Sequence, residues 1–219
     1  RPCTKRSKRA GKFAERAEIM FKFLKRLIIL VFVLFCGYQV YVTHENVHKV
    51  LQYKSMVKEI LDDNDTKANV ELVLAMIYTE TKGNEDDVMQ SSESSDGVAN
   101  SITDSQTSIR QGVTVLSENL SLADEAGVDV WTAVQAYNFG TSYIDYVAKH
   151  GSKSTIALAK TYSRDVVAPS LGNTTGESYF YYHPLALISG GQLYKNGGNI
   201  YYSREVHFNL YLIELMSLF

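Results

Sequence analysis

The sequence predicts an all-α domain behind a single N-terminal apolar helix, and three observations carry that prediction. Apolar residues recur at helical period, as at Val70, Val73, Leu74, Ile77 and Tyr78, which fall at i, i+3, i+4, i+7 and i+8. No stretch alternates convincingly as a strand. Residues 27–42, LIILVFVLFCGYQVYV, carry no charge over sixteen positions, and the 26 residues before them hold ten of the 22 Lys and Arg against two of the 24 acidic residues. A chain of 219 residues, 45% of them hydrophobic, fits one cored domain plus an appendage.

Residues 1–26 read as a basic cytoplasmic leader and 27–43 as a transmembrane anchor. At about 1.5 Å per residue the uncharged run covers about 24 Å. It reaches across a bilayer core if Lys25 and Arg26 snorkel and Tyr38 and Tyr41 sit at the interface. No small-residue cleavage site follows it, so an uncleaved single-pass anchor is expected. The basic excess before the run places the N-terminus in the cytoplasm and the rest outside the cell membrane.

From residue 27 onward 12 basic and 22 acidic residues remain, a net charge near −10. An acidic body of this kind excludes nucleic acid as a partner, because phosphate binding needs clustered Lys and Arg. The two cysteines, Cys3 and Cys36, both precede the body, so no disulfide framework holds it.

Residues 44–62 read as a polar helical stalk, and 63–219 as the main domain. The stalk contains His44-Glu45-Asn46-Val47-His48, the H-E-x-x-H spacing of zinc peptidases. No apolar stripe is evident there to build a pocket, and Leu51 and Lys54 stand where a metzincin continues with Gly and His, so no metal site is expected.

The stretch from Val70 to Ser94 reads as a buried helix that delivers Glu80 to a polar cleft, with Gly83 able to end it in a left-handed conformation. Glu80 lies three residues beyond Ile77, beside the apolar stripe. Partial desolvation there raises a carboxyl pKa toward that of a general acid. A polar loop follows to Gln106. Asp104 or Ser105 then caps a helix striped by Ile109, Gly112, Val113, Leu116 and Leu120. VDVWTAVQAYNFG forms another, closed by Gly140. Tyr143, Ile144 and Val147 mark a short helix, and residues 154–167 a further one stopped by Pro169. Residues 168–199 are loop-like, crowded with Gly and Tyr, and a last helix from Ser203 docks through Val206, Leu210, Ile213 and Met216.

Ile77-Tyr78-Thr79-Glu80-Thr81 resembles the I-x-x-E-S/T signature of goose-type lysozymes and soluble lytic transglycosylases. Asp87-Val88-Met89-Gln90-Ser91-Ser92-Glu93-Ser94 is similar to the Gram-positive branch of membrane-anchored lysozyme-like proteins. Ala136-Tyr137-Asn138-Phe139-Gly140 resembles the A-Y-N-x-G motif of the same superfamily. The resemblance implies a lysozyme-like helical fold from about Val50 onward and a peptidoglycan muramidase or lytic transglycosylase that needs no cofactor and no metal. Glu80 would be the catalytic acid, with Gln90, Ser91, Ser94, Tyr137 and Asn138 holding the glycan. Gly97-Val98-Ala99-Asn100 replaces the G-L-M-Q of transglycosylases. No motif fixes a second carboxylate; Glu93, Asp87 and Asp96 qualify by position, Glu93 foremost. The competing expectation is a catalytically weak glycan-binding scaffold for cell-wall or division proteins.

Overall fold

The computed structural model describes residues 3–64, 66–92 and 101–217, with side chains from residue 15 onward except that of Ala17. Glu93, Ser94, Asp96 and the Gly97–Asn100 segment lie outside the described residues. The chain divides into two units, 1–45 and 46–219.

In the first unit, helix α1 (Cys3–Leu51) begins, and its large apolar side chains from Ile19 to Tyr41 are exposed. Among the described residues no helix is long and apolar enough to cross a membrane. The expected anchor is helical; that it spans a membrane is not shown by the structure.

The second unit begins earlier than residue 63. Val47 and Val50 at the end of α1, and Val57 and Ile60 on α2 (Lys54–Asp62), are fully buried. The expected polar stalk is thus part of the core. Its apolar residues are spaced three apart within each helix, and the interruption at Gln52 and Tyr53 hides the stripe that they form together.

Helix α3 (Val70–Glu80) is the central element. Asn69 caps it by accepting from the Leu72 N–H at 2.8 Å, and all seven residues from Leu72 to Tyr78 are buried. A helix apolar all round is a core helix. Each buried Leu or Ile side chain stabilises the fold by about 1.5–3 kcal/mol. The helix ends at Glu80 rather than continuing toward Ser94, because Lys82 and Gly83 both take positive φ (55° and 71°). Residues 81–91 are turns and bends.

Helix α4 (Ser105–Glu125) is capped by Asp104, which accepts from the Thr107 N–H, and it buries Ile109, Val113, Leu116 and Leu120 as its stripe requires. At Gly112 a Cβ would lie 2.6 Å from the Met89 sulfur, so only glycine lets the 81–92 segment lie this close to α4. Helices α5 (Val130–Phe139) and α6 (Ser142–Lys149) follow, then α7 (Ile156–Tyr162). A π-helical turn (Ser163–Val167) leads into α8 (Ala168–Ser170). Pro169 therefore sits in the first turn of a short helix, where its missing N–H costs nothing, instead of stopping one.

The all-α expectation is corrected at residues 178–194. Strand β1 (Ser178–Phe180) pairs antiparallel with β2 (Gln192–Tyr194), with α9 (Pro184–Leu187) between them. Three-residue strands are too short for alternation to register, and all of β1 is exposed. Helix α10 (Tyr202–Met216) packs along α3, burying Tyr202, Glu205, Val206 and Ile213.

Candidate active site

The end of α3 is joined to the loop after it by Thr81. The Thr81 hydroxyl donates to the Val88 carbonyl at 2.9 Å and accepts from the Gly83 N–H at 3.2 Å. The hydroxyl residue that follows the glutamate in the signature thus has a physical role, folding the chain back at the place where Glu80 leaves the helix.

Asp87 organises the loop. Its carboxylate is 4% exposed and accepts from the N–H groups of Ser91 and Ser92, at 2.9 and 3.1 Å, from the Ser108 hydroxyl at 2.7 Å, and from the Ser92 hydroxyl. Burial opposes its charge, yet these donors outweigh burial and hold its pKa below the usual carboxylate range. The Met89 N–H donates to the Ser108 hydroxyl and the Tyr137 hydroxyl donates to the Met89 carbonyl, both at 2.9 Å, so the loop is fastened to α4 and α5. The three sequence motifs are thereby one hydrogen-bonded unit.

Glu80 meets a different environment. Its half-buried carboxyl accepts from the Tyr202 hydroxyl at 2.6 Å. Burial, reinforced by the negative charges of Asp87 and Glu205 and opposed by the Tyr202 hydrogen bond, pushes its pKa up to about 7. The Tyr137 ring lies nearly parallel to that of Tyr202, with centroids 6.3 Å apart and planes 6° apart. Both phenols are pushed well above the ordinary tyrosine pKa, first by burial and then by the Glu80 charge, so they stay protonated as donors.

The structure separates the expected glycan-holding residues. Gln90 is exposed on a left-handed backbone (φ 49°), its amide donating to Glu85 at 2.8 Å and to the Asp87 carbonyl at 3.1 Å. Ser91 is corrected to a loop-holding residue: it is buried, and its hydroxyl donates to the Ser108 carbonyl at 3.0 Å. Tyr137 stands beside Glu80 through Tyr202. Asn138 is exposed, and its side-chain oxygen accepts from the Asn199 N–H at 2.7 Å, bracing the segment before α10. Asp87, named by position for a second carboxylate, has both oxygens engaged by Ser91, Ser92 and Ser108.

Two residues escaped the sequence reading. Tyr202 lies just past the Tyr-rich 168–199 stretch, at the start of α10. Glu205 is buried one turn along α10, accepting from Asn199 at 3.1 Å and from Tyr181 at 3.4 Å, with its other oxygen 3.5 Å from His183 Nδ1. Burial raises its pKa, and the His183 charge partly offsets this. The readable signal was a Glu and an Asn, Glu205 and Asn209, on the helix face that also carries Val206 and Ile213. Elsewhere, His44 approaches the neighbouring Glu45 carboxylate at 3.8 Å, and among the described residues no group of three His, Cys, Asp or Glu converges as metal ligands.

Residues 47–210 match the model of the family described as lysozyme-like. The chain is similar to the pneumococcal vaccine antigen A homolog of Streptococcus pyogenes serotype M3, with 74% identity over 91% of this chain and 100% of the relative. It is 32% identical to the bifunctional muramidase/DL-endopeptidase CwlT of Bacillus subtilis, over 65% of this chain and 42% of that protein. A crystal structure of a protein described as similar to lipoprotein, NLP/P60 family, from Staphylococcus aureus superposes with a TM-score of 0.66 at 33% identity. The match covers 74% of this chain and about half (52%) of that one.

Proposed function

The chain belongs to the lysozyme-like family, and on that premise we propose that it cleaves the β-1,4 bond between N-acetylmuramic acid and N-acetylglucosamine in peptidoglycan. Glu80 is the general acid in this reading. The observation that carries it is the half-buried Glu80 carboxyl, held by Tyr202 and pushed to a pKa of about 7, so that a large fraction carries a proton at neutral pH. That proton passes to the glycosidic oxygen as the bond to the anomeric carbon breaks, leaving an oxocarbenium-like centre. Water then adds to that carbon, or the 6-hydroxyl of the same muramic acid closes on it; either nucleophile releases one proton, which returns to Glu80. The second route needs no second carboxylate. It fits a site in which Asp87 and Glu205 are both engaged inside the protein.

The exposed apolar face of α1 from Ile19 to Tyr41, preceded by the basic leader, supports attachment to the cell membrane with the body facing the wall. The deciding experiment is mass spectrometry of fragments released from purified peptidoglycan. Reducing muramic ends identify water as the nucleophile and anhydro ends the internal closure. A parent protein that binds the polymer and releases neither product from pH 5 to 8 overturns the glycosidase reading in favour of a glycan-binding scaffold.

A further inference from the structure

Helix α10 has two working faces. At about 100° per residue, Tyr202, Glu205 and Asn209 cluster on the side that meets α3, whereas Arg204, His207 and Tyr211 lie about 140–200° around the helix from Tyr202. On that opposite side a cleft of about 170 Å³ opens between α10, the start of α5 and the entrance to α7. Its lining includes Trp131, Thr155, Arg204 and His207. The glycosidase mechanism uses none of them.

The cleft combines three kinds of group. The Trp131 indole and the His207 imidazole lie with centroids 4.1 Å apart and line the cleft together, and outside it Tyr211 packs on His207 with centroids 4.9 Å apart. Arg204 is exposed at the rim and brings a planar guanidinium that pairs with carboxylates in two parallel hydrogen bonds. Thr155 and Ser154 bring hydroxyl groups. The acidic group of the cleft, Asp129, is occupied: one of its oxygens accepts from the N–H groups of Thr132 and Ser154, at 3.1 and 3.2 Å, and caps α5.

We propose that this cleft is a second glycan-binding site, which takes a carboxylate-bearing amino-sugar unit of the wall polymer. The apolar face of the sugar ring lies on Trp131 and its carboxylate pairs with Arg204. The identity of the polymer rests on the glycosidase reading; the chemistry of the cleft does not. A site on the far side of α10 from Glu80 holds a strand without occupying the cleavage cleft, so binding and cutting are separable.

Trp131 is the single tryptophan of the chain, so its fluorescence reports on this cleft. The full chain in detergent is titrated with N-acetylmuramic acid, whose acid is on the sugar, with N-acetylmuramyl dipeptide, whose acid is on the peptide, and with N-acetylglucosamine, which has none. At least one of the two acidic ligands should change the Trp131 emission saturably, and which one responds identifies the source of the carboxylate. N-acetylglucosamine should bind at least about fivefold more weakly, and Arg204→Ala should weaken the acidic ligand on the order of tenfold. No saturable change with any ligand overturns the proposal, and so does a response that Arg204→Ala leaves intact. Glycan cleavage measured on the same preparation separates the two readings: cutting without a Trp131 response removes only the second site, and a response without cutting removes only the glycosidase.

Discussion

Glu80 and Asp87 lie seven residues apart, and their carboxyl groups have opposite fates. Glu80 leaves the end of a core helix and receives one hydroxyl, from Tyr202, while burial and two neighbouring carboxylates press it toward the protonated form. Asp87 is buried too, but two backbone N–H groups and the hydroxyls of Ser92 and Ser108 converge on it and keep it ionised. Burial alone therefore does not make an acid catalyst. The number of donors decides: one hydroxyl leaves the Glu80 pKa raised, whereas four donors hold that of Asp87 down.

The comparison breaks most visibly at Glu80. Glu80→Gln keeps size and polarity but has no proton to transfer. Turnover of peptidoglycan should fall on the order of 10²-fold or more, with an unchanged circular-dichroism spectrum and melting curve. A folded variant that cuts at near-parental rate removes Glu80 from the chemistry.

Asp87→Asn should act on stability. It replaces a charged acceptor with a neutral one and leaves part of the donor set unsatisfied, at a cost of about 2–3 kcal/mol and about 5–10 °C in melting temperature. Because the folded pKa of Asp87 is depressed, its stabilisation is present above the unfolded value of about 3.9 and is lost as pH falls through the lower folded value. The melting difference between parent and variant should therefore shrink in acid, and a constant difference down to pH 2 contradicts the assignment.

Tyr202→Phe gives the smallest effect and the sharpest test. The Tyr202 hydroxyl favours the ionised form of Glu80, so its removal raises the Glu80 pKa further above its value of about 7. The protonated, active form then persists to higher pH. The alkaline limb of kcat/KM should move upward by about half to one unit, the equivalent of one neutral hydrogen bond. A shift downward means that Tyr202 supports the protonated acid instead.

Much of this was legible in the residues. The stripe from Val70 to Tyr78 places Glu80 at the end of a core helix, and the caps Asn69 and Asp104 precede their helices as hydrogen-bond chemistry requires. The 47–60 core segment was not legible, because its stripe is broken between two helices. Nor was the 178–194 hairpin, whose strands are shorter than their own periodicity. The resemblance implied Ser91 as a ligand for glycan, and only the packing of α4 against the loop supplies its hydroxyl with the Ser108 carbonyl.

By itself the sequence determined most of the helices, the place of Glu80 at the end of α3 and the family to which the chain belongs, since each depends on residues close together in the chain. Which donors meet each carboxylate was decided by the tertiary structure alone. Tyr202 comes to Glu80 from 122 residues away and Ser108 comes to Asp87 from 21, and no local pattern encodes the meeting. A pKa depends on the dielectric and on donors within a few ångströms, and only the packing of α10 and α4 against α3 and its loop puts them there.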